Sequence, residues 1–167
     1  MPKPKPILIA CALVLTAGAS SAVACQGGPE ANKRVVAEAI ARVWNAGDTA
    51  AIDRLFAPDY VDHSADPLLP DGPDGVRIVY TAMRAAFPDL QMAIQDQIAD
   101  GELVATRVVL YGTNSGPFMG SAPTGNPVLI PAMHFDRVCD GRIAEHWAVI
   151  DTAALAAQLD TDSAVAD

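Results

Sequence analysis

Between Phe87 and Leu90 the apolar residues change period, and that change restricts the folds open to this chain. Before it, Val35, Val36, Ala39, Ile40, Val43 and Trp44 recur at helical spacing, as do Val76, Val79, Tyr80, Met83 and Phe87. After it, Leu90, Met92, Ile94 and Ile98 alternate with Gln91, Gln95 and Gln97, and Leu103 to Tyr111 is rich in Val and Thr. Asp100-Gly101 and Asp140-Gly141 punctuate this second half as hairpin turns. Helices first and antiparallel hairpins afterwards specify an α+β domain.

The boundaries follow from local chemistry. The first helix stops at Asn45-Ala-Gly47, and Asp48 is placed to cap a second, shorter helix through Ile52, Leu55 and Phe56 to Pro58. Asp59 to Ser64 reads as a short strand, Asp66 to Asp74 as a loop, and 73–87 as a third helix. A Gly/Pro loop from Gly112 to Pro127 separates the two hairpins, the second formed by Val128 to Val138 and Arg142 to Ile150. A short helix over 152–159, with Asp151 as its N-cap, precedes a polar tail at 161–167.

Residues 1–24 read as a signal peptide: Lys3 and Lys5, thirteen uncharged residues from Ile7 to Ala19, then Ala22-Val-Ala24 before Cys25. Ala-Val-Ala-Cys resembles a bacterial lipobox, which predicts lipidation of Cys25, a tether over 25–30 and a membrane-anchored lipoprotein of the periplasm or cell envelope. The alternative is a secreted protein. Cys11 leaves with the leader, so a disulfide scaffold is not expected; without the lipid, a Cys25 to Cys139 bridge becomes possible.

With Lys3 and Lys5 removed, the net charge of −9 falls to −11 over 143 residues. An acidic chain without a Lys/Arg cluster argues against nucleic acid and against anionic headgroups as partners. Contact with a membrane is expected only through a lipid on Cys25. Arg107, among Leu103, Ala105, Val109 and Tyr111, reads as an outward, solvated residue.

Several segments stand in the order of a known family. Asp59-Tyr-Val-Asp-His63, Phe87-Pro-Asp89, Gly116-Pro-Phe-Met-Gly120, Pro123-Thr-Gly125 and Asp140-Gly-Arg-Ile-Ala-Glu-His-Trp147 resemble the SnoaL-like polyketide or ester cyclases, within the larger group named for nuclear transport factor 2. The resemblance covers a domain at 31–160. It implies a cone-shaped, curved antiparallel sheet closed by three N-terminal helices, with a short C-terminal helix and an apolar cavity. It also implies an aldol-type ring closure with no metal and no cofactor, run by a carboxylate and a histidine on a small apolar molecule.

An enolate-forming pocket needs a base and a donor aimed at the developing oxyanion. The chain has three histidines, all in the matching segments. His134 and His146 lie on the arms of the last hairpin. A two-residue Asp140-Gly141 turn would put them on opposite faces; a three-residue loop from Cys139 would pair them on one face with Ala132, Ala148 and Ile150. The second arrangement is favoured, because it gives a cavity face of small and apolar groups.

The catalytic candidates are therefore His134, His146, His63 and Asp62, with Asp62 orienting His63 at the pocket mouth. Tyr60, Trp44, Trp147, Phe118 and Ala148 are candidate ligand contacts. The chain departs from the resemblance at Ala148, where the cyclase carboxylate follows the His-Trp pair. Three readings remain: a cofactor-independent cyclase or isomerase acting on a small apolar carbonyl compound; a non-catalytic envelope protein holding a small apolar ligand; and a surface that binds a protein partner or forms a homodimer.

Overall fold

The order of elements follows the change of period. A computed structural model describes residues 25–159; the proposed leader at 1–24 and the polar tail lie outside the described residues. Helix α1 (Pro29–Ala39) continues into a wider π-helical segment (Ile40–Asn45), with Ala46 N–H reaching back to Ala41 at 3.0 Å. A 3₁₀ turn (Thr49–Ala51) leads into α2 (Ile52–Leu55), then β1 (Phe56–Asp62), α3 (Pro73–Ala86), β2 (Gln91–Asp100), β3 (Leu103–Thr113), β4 (Pro127–Cys139), β5 (Arg142–Ile150) and α4 (Thr152–Leu159).

Four strands form the expected antiparallel meander, and the sheet order is β1-β5-β4-β3-β2. β1 joins the edge parallel to β5, so the sheet is mixed and not wholly antiparallel. Phe56 and Pro58, read from the sequence as the end of a helix, lie inside β1. Proline is tolerated there because β1 is an edge strand whose pairing is interrupted between Phe56 and Val61. Asp48 makes no side-chain cap; its carboxylate pairs with Arg42 instead. Asp151 does cap α4, accepting from Ala154 N–H at 2.9 Å. The first hairpin turns on Gly101-Glu102, since Asp100 already pairs with Leu103. Arg107 is exposed as expected and pairs with Asp96.

The helices pack on one face of the sheet. Val36, Ala39, Ile40, Val43, Ile52, Leu55 and Val76 meet Val104, Val108, Leu110, Val128 and Ile130 from the strands. Each fully buried aliphatic side chain contributes about 1.5–3 kcal/mol of transfer free energy. Phe87-Pro-Asp89 ends α3 on this core: Phe87 is fully buried, and Asp89 accepts from Thr113 N–H (2.7 Å) and Oγ1 (2.8 Å). Asn45, at the end of the π segment, holds β2 by bonding both N–H and C=O of Met92. Gly116 lets the long loop approach α3; a Cβ there would lie 2.0 Å from the Ala85 carbonyl oxygen.

Cys25 is bonded to Cys139, S–S 2.04 Å. This is the bridge that the sequence allows where Cys25 carries no lipid. It ties the segment before α1 to the β4–β5 turn, and Gln26 N–H donates to Asp140 beside it at 2.8 Å.

Candidate functional site

The last hairpin positions the site. Asp140 and Gly141 have φ of 50° and 76°, the left-handed pair of a two-residue type I′ turn, which Asp-Gly favours. Cys139 pairs with Arg142 and Val138 with Ile143, but Arg137 then pairs with Glu145. Ala144 is the extra residue of a β-bulge. The turn is thus not the three-residue loop favoured from the sequence, yet the bulge restores the same parity. His134 faces Ala148 across the strands, Asp136 faces His146, and Ala132 faces Ile150. Both histidines therefore lie on the helix-covered face.

That face borders a cavity of about 270 Å³. Its apolar wall comes from Val36, Ala39, Ile40, Met83, Met92 and Leu110, with Trp44 and Tyr60 at one side. A second chamber of about 310 Å³ shares Trp44, Tyr60, Asp62 and Leu69 with it and runs under the 65–71 loop. Among the described residues, no Lys or Arg lines either space.

Two imidazoles meet in the cavity edge to face, with ring centroids 5.1 Å apart. His146 Nδ1 lies 2.8 Å from Asp136 Oδ1. A carboxylate only accepts, so Nδ1 carries the proton and donates, leaving Nε2 as the other functional atom. The environments push the two rings apart. Burial, then the neighbouring His146, lowers the pKa of His134 to about 4. Burial also opposes charge on His146, but the Asp136 hydrogen bond and the charges of Asp136 and Asp62 outweigh it, raising the pKa above its ordinary value. Tyr60 is held protonated by burial, with Asp62 and Asp136 acting in the same direction, so it presents a neutral hydroxyl.

Other candidates are placed differently. Asp62 lines the cavity but does not orient His63; its carboxylate accepts from Ser64 and Ala65 N–H groups and shapes the turn after β1. His63 lies against Trp147 as a parallel stack, 4.4 Å between centroids, and bonds Glu145 at 2.9 Å. Both occupy the outer surface of the sheet, because Trp147 alternates with His146 along β5. Neither stands with the His134–His146 pair: His63 borders only the second chamber, and Trp147 is absent from both linings. Phe118 packs edge to face on Phe87 at 5.1 Å and borders a separate groove beside α4, outside the cavity. Trp44, Tyr60 and Ala148 do line it.

Asp136 escaped the sequence reading, although a signal existed. It follows Val128, Ile130, Ala132 and His134 at period two and precedes Val138, so a carboxylate stands in an otherwise apolar inward row. It is 3% exposed. A buried acid at such a position requires a partner.

A family model described as SnoaL-like polyketide cyclase matches residues 34–159. Nogalonic acid methyl ester cyclase of Streptomyces nogalater is 28% identical over 105 residues, which are 62% of this chain and 78% of that protein. The crystal structure of IdmH, a candidate polyketide cyclase from Streptomyces antibioticus, superposes with a TM-score of 0.67 at 38% identity, covering 77% of this chain and 97% of that one. AclR of Streptomyces galilaeus, a candidate hydroxylase, superposes at 0.68 with 32% identity over 79% of this chain and 97% of that one.

Proposed function

Because this chain belongs to the SnoaL-like polyketide cyclase family, we propose that it is a cofactor-independent cyclase or isomerase acting on a small, uncharged carbonyl compound. The observation that carries the reading is the pair of adjacent imidazoles with pKa values driven in opposite directions, the arrangement that assigns one group as base and its neighbour as acid.

At neutral pH His134 is unprotonated and is the base that takes a proton from the carbon beside the carbonyl. His146 in its protonated form, which Asp136 favours, gives its Nε2 proton to the developing oxyanion. The pair carries one positive charge before and after the transfer, so no second charge is created in the cavity. Tyr60 is a further hydroxyl donor on the same wall. Ring closure follows when the enolate carbon meets a second carbonyl of the same molecule; reprotonation without closure is isomerisation. The apolar wall and the absence of a lining cation favour an uncharged substrate over a carboxylate or phosphate. The rate is expected to fall above the raised pKa of His146, and on the acid side as His134 protonates near pH 4.

The test is solvent deuterium uptake beside the carbonyl of apolar ketones and methyl esters, followed by proton NMR. His134→Ala is expected to lower the protein-catalysed rate by about 10²–10⁴-fold. Ala148, at the place of the family carboxylate, favours a second reading in which the cavity only holds its ligand. Tryptophan quenching by these compounds, without deuterium uptake above buffer, would select that reading.

Export is part of the proposal. The leader pattern and the Cys25–Cys139 bridge support an oxidising compartment, with the chain secreted or periplasmic and free of lipid. Exposed Leu129, Met133, Phe135 and Val149 on the outer sheet face support self-association there, which light scattering after gel filtration tests.

A further inference from the structure

We propose that Asp136 is the positioning residue for His146 and supplies, from the opposite strand, the carboxylate that the chain lacks at Ala148. The inference rests on the acid–base reading of the cavity but concerns a residue that the family comparison does not single out. A carboxylate at position 148 would project from β5 beside the reacting atoms. Asp136 projects from β4 and meets the imidazole from behind, on Nδ1, while Nε2 is the nitrogen left for substrate. Asp136 also borders the cavity, and its bond to Nδ1 is the contact through which it acts on the ring.

The geometry depends on the bulge. With the turn alone, His146 would fall opposite Phe135 and point away from the cavity. The extra residue Ala144 shifts the register by one, so that Asp136 and His146 become directly opposed, the closest cross-strand relation a sheet offers. The bulge thus brings the imidazole into the cavity and gives it a carboxylate in one step.

Charge bookkeeping points the same way. Asp136 is one of four buried polar residues among those described, and His146 is its hydrogen-bond partner among the described side chains. A buried carboxylate with one partner is stable only if that partner brings charge, because an uncompensated charge in the interior costs several kcal/mol. The other titratable groups around the ring are His134 on β4 and Tyr60 and Asp62 on β1; Asp66 lies in the loop above. The residues facing the ring from α1, the π segment and α3, namely Val36, Ala39, Ile40, Val79 and Met83, carry no charge. Among these neighbours Asp136 makes the direct bond, while Asp62 Oδ1 accepts from the Ser64 and Ala65 amides.

The test is imidazole titration by nitrogen-15 NMR on the disulfide-bonded protein without substrate. In wild type, His146 should titrate above 6.5, with the neutral ring protonated on Nδ1. In Asp136→Asn its protonation constant should fall at least tenfold, whereas Asp62→Asn should change it less. Wild-type His146 in the Nε2–H form, or an Asp136→Asn titration matching wild type, would overturn the proposal. The wild-type tautomer decides even if the variant fails to fold. Because no substrate is present, a negative deuterium-uptake result with the expected titration would reject the enzymatic reading and leave the Asp136–His146 pair standing.

Discussion

Strand β5 contributes to two histidine–carboxylate pairs, one on each face, and their bond lengths hardly differ. His146–Asp136 spans 2.8 Å on the inner face and His63–Glu145 spans 2.9 Å on the outer face. What differs is water. The inner side chains are 18% and 5% exposed, the outer ones 38% and 31%. On the outer face Glu145 shares its charge with Arg137 at 2.7 Å, and Arg137 also reaches Glu102. His63 and then Arg137, by hydrogen bonding, hold the Glu145 carboxyl below its usual range. Length alone does not make a functional pair. Removal from solvent, and a cavity on the far side of the ring, distinguish the inner one.

The largest effect expected on this contrast comes from the Cys25–Cys139 bridge, which anchors the chain entering α1 to the hairpin turn and so keeps the inner face covered. Its partners are 114 positions apart. In the chain-entropy account, a loop of that size stabilises by about 5 kcal/mol. Cys25→Ser with Cys139→Ser should lower the urea unfolding free energy by that order, and the inner imidazoles should become more accessible while His63 does not. The intact mass of the exported wild-type protein provides a second check: two hydrogens lost and no lipid added is the expected result.

Next in size is the acid limb of stability. His134 is depressed from 6.5 to about 4 in the folded chain, so the unfolded chain binds a proton that the folded one refuses. Stability from this group is complete above pH 6.5 and is lost as pH falls toward 4, on the order of 3 kcal/mol in all. His146 has the opposite sign: its raised pKa adds stability at low pH that is lost as pH rises through the folded value. His134→Gln should flatten the fall between pH 7.5 and pH 4.5 in denaturant melts. An equal fall in wild type and variant would show that the inner ring is solvated like the outer one.

How much of this contrast the sequence reveals depends on the range of the interactions involved. The period change located the helices and both hairpins, and the inward row on β4 already placed His134 among apolar neighbours. The side on which His146 would fall was not legible from turn chemistry, because Asp140-Gly141 fixes only the turn. The bulge at Ala144, three residues further on, depends on packing against β1 and β4. The parallel pairing of β1 with β5 escaped for the same reason: it joins residues about 85 positions apart with no local signature. The resemblance puts Asp62 and His63 together at the pocket mouth, but neighbours along a strand point to opposite faces, and His63 borders only the second chamber. Cys25 follows a lipobox-like Ala-Val-Ala, and its pairing with Cys139, 114 positions away, has no local signal either.

The smallest effect sharpens the comparison most. His63→Ala removes the outer imidazole, its stack on Trp147 and its bond to Glu145, yet Glu145 keeps Arg137. Exposed ion pairs contribute about 0.2–1 kcal/mol because water competes for both partners and the side chains lose entropy when ordered. His63→Ala should therefore cost less than about 1 kcal/mol, with the loss shrinking in 0.5 M salt, and deuterium uptake should be unchanged. The inner pair should barely respond to the same salt, since ions screen charges in water and not those in a covered cavity. If His63→Ala abolished uptake while leaving stability intact, the chemistry would have to be moved to the second chamber, which His63 borders, and the separation of the two faces would be wrong.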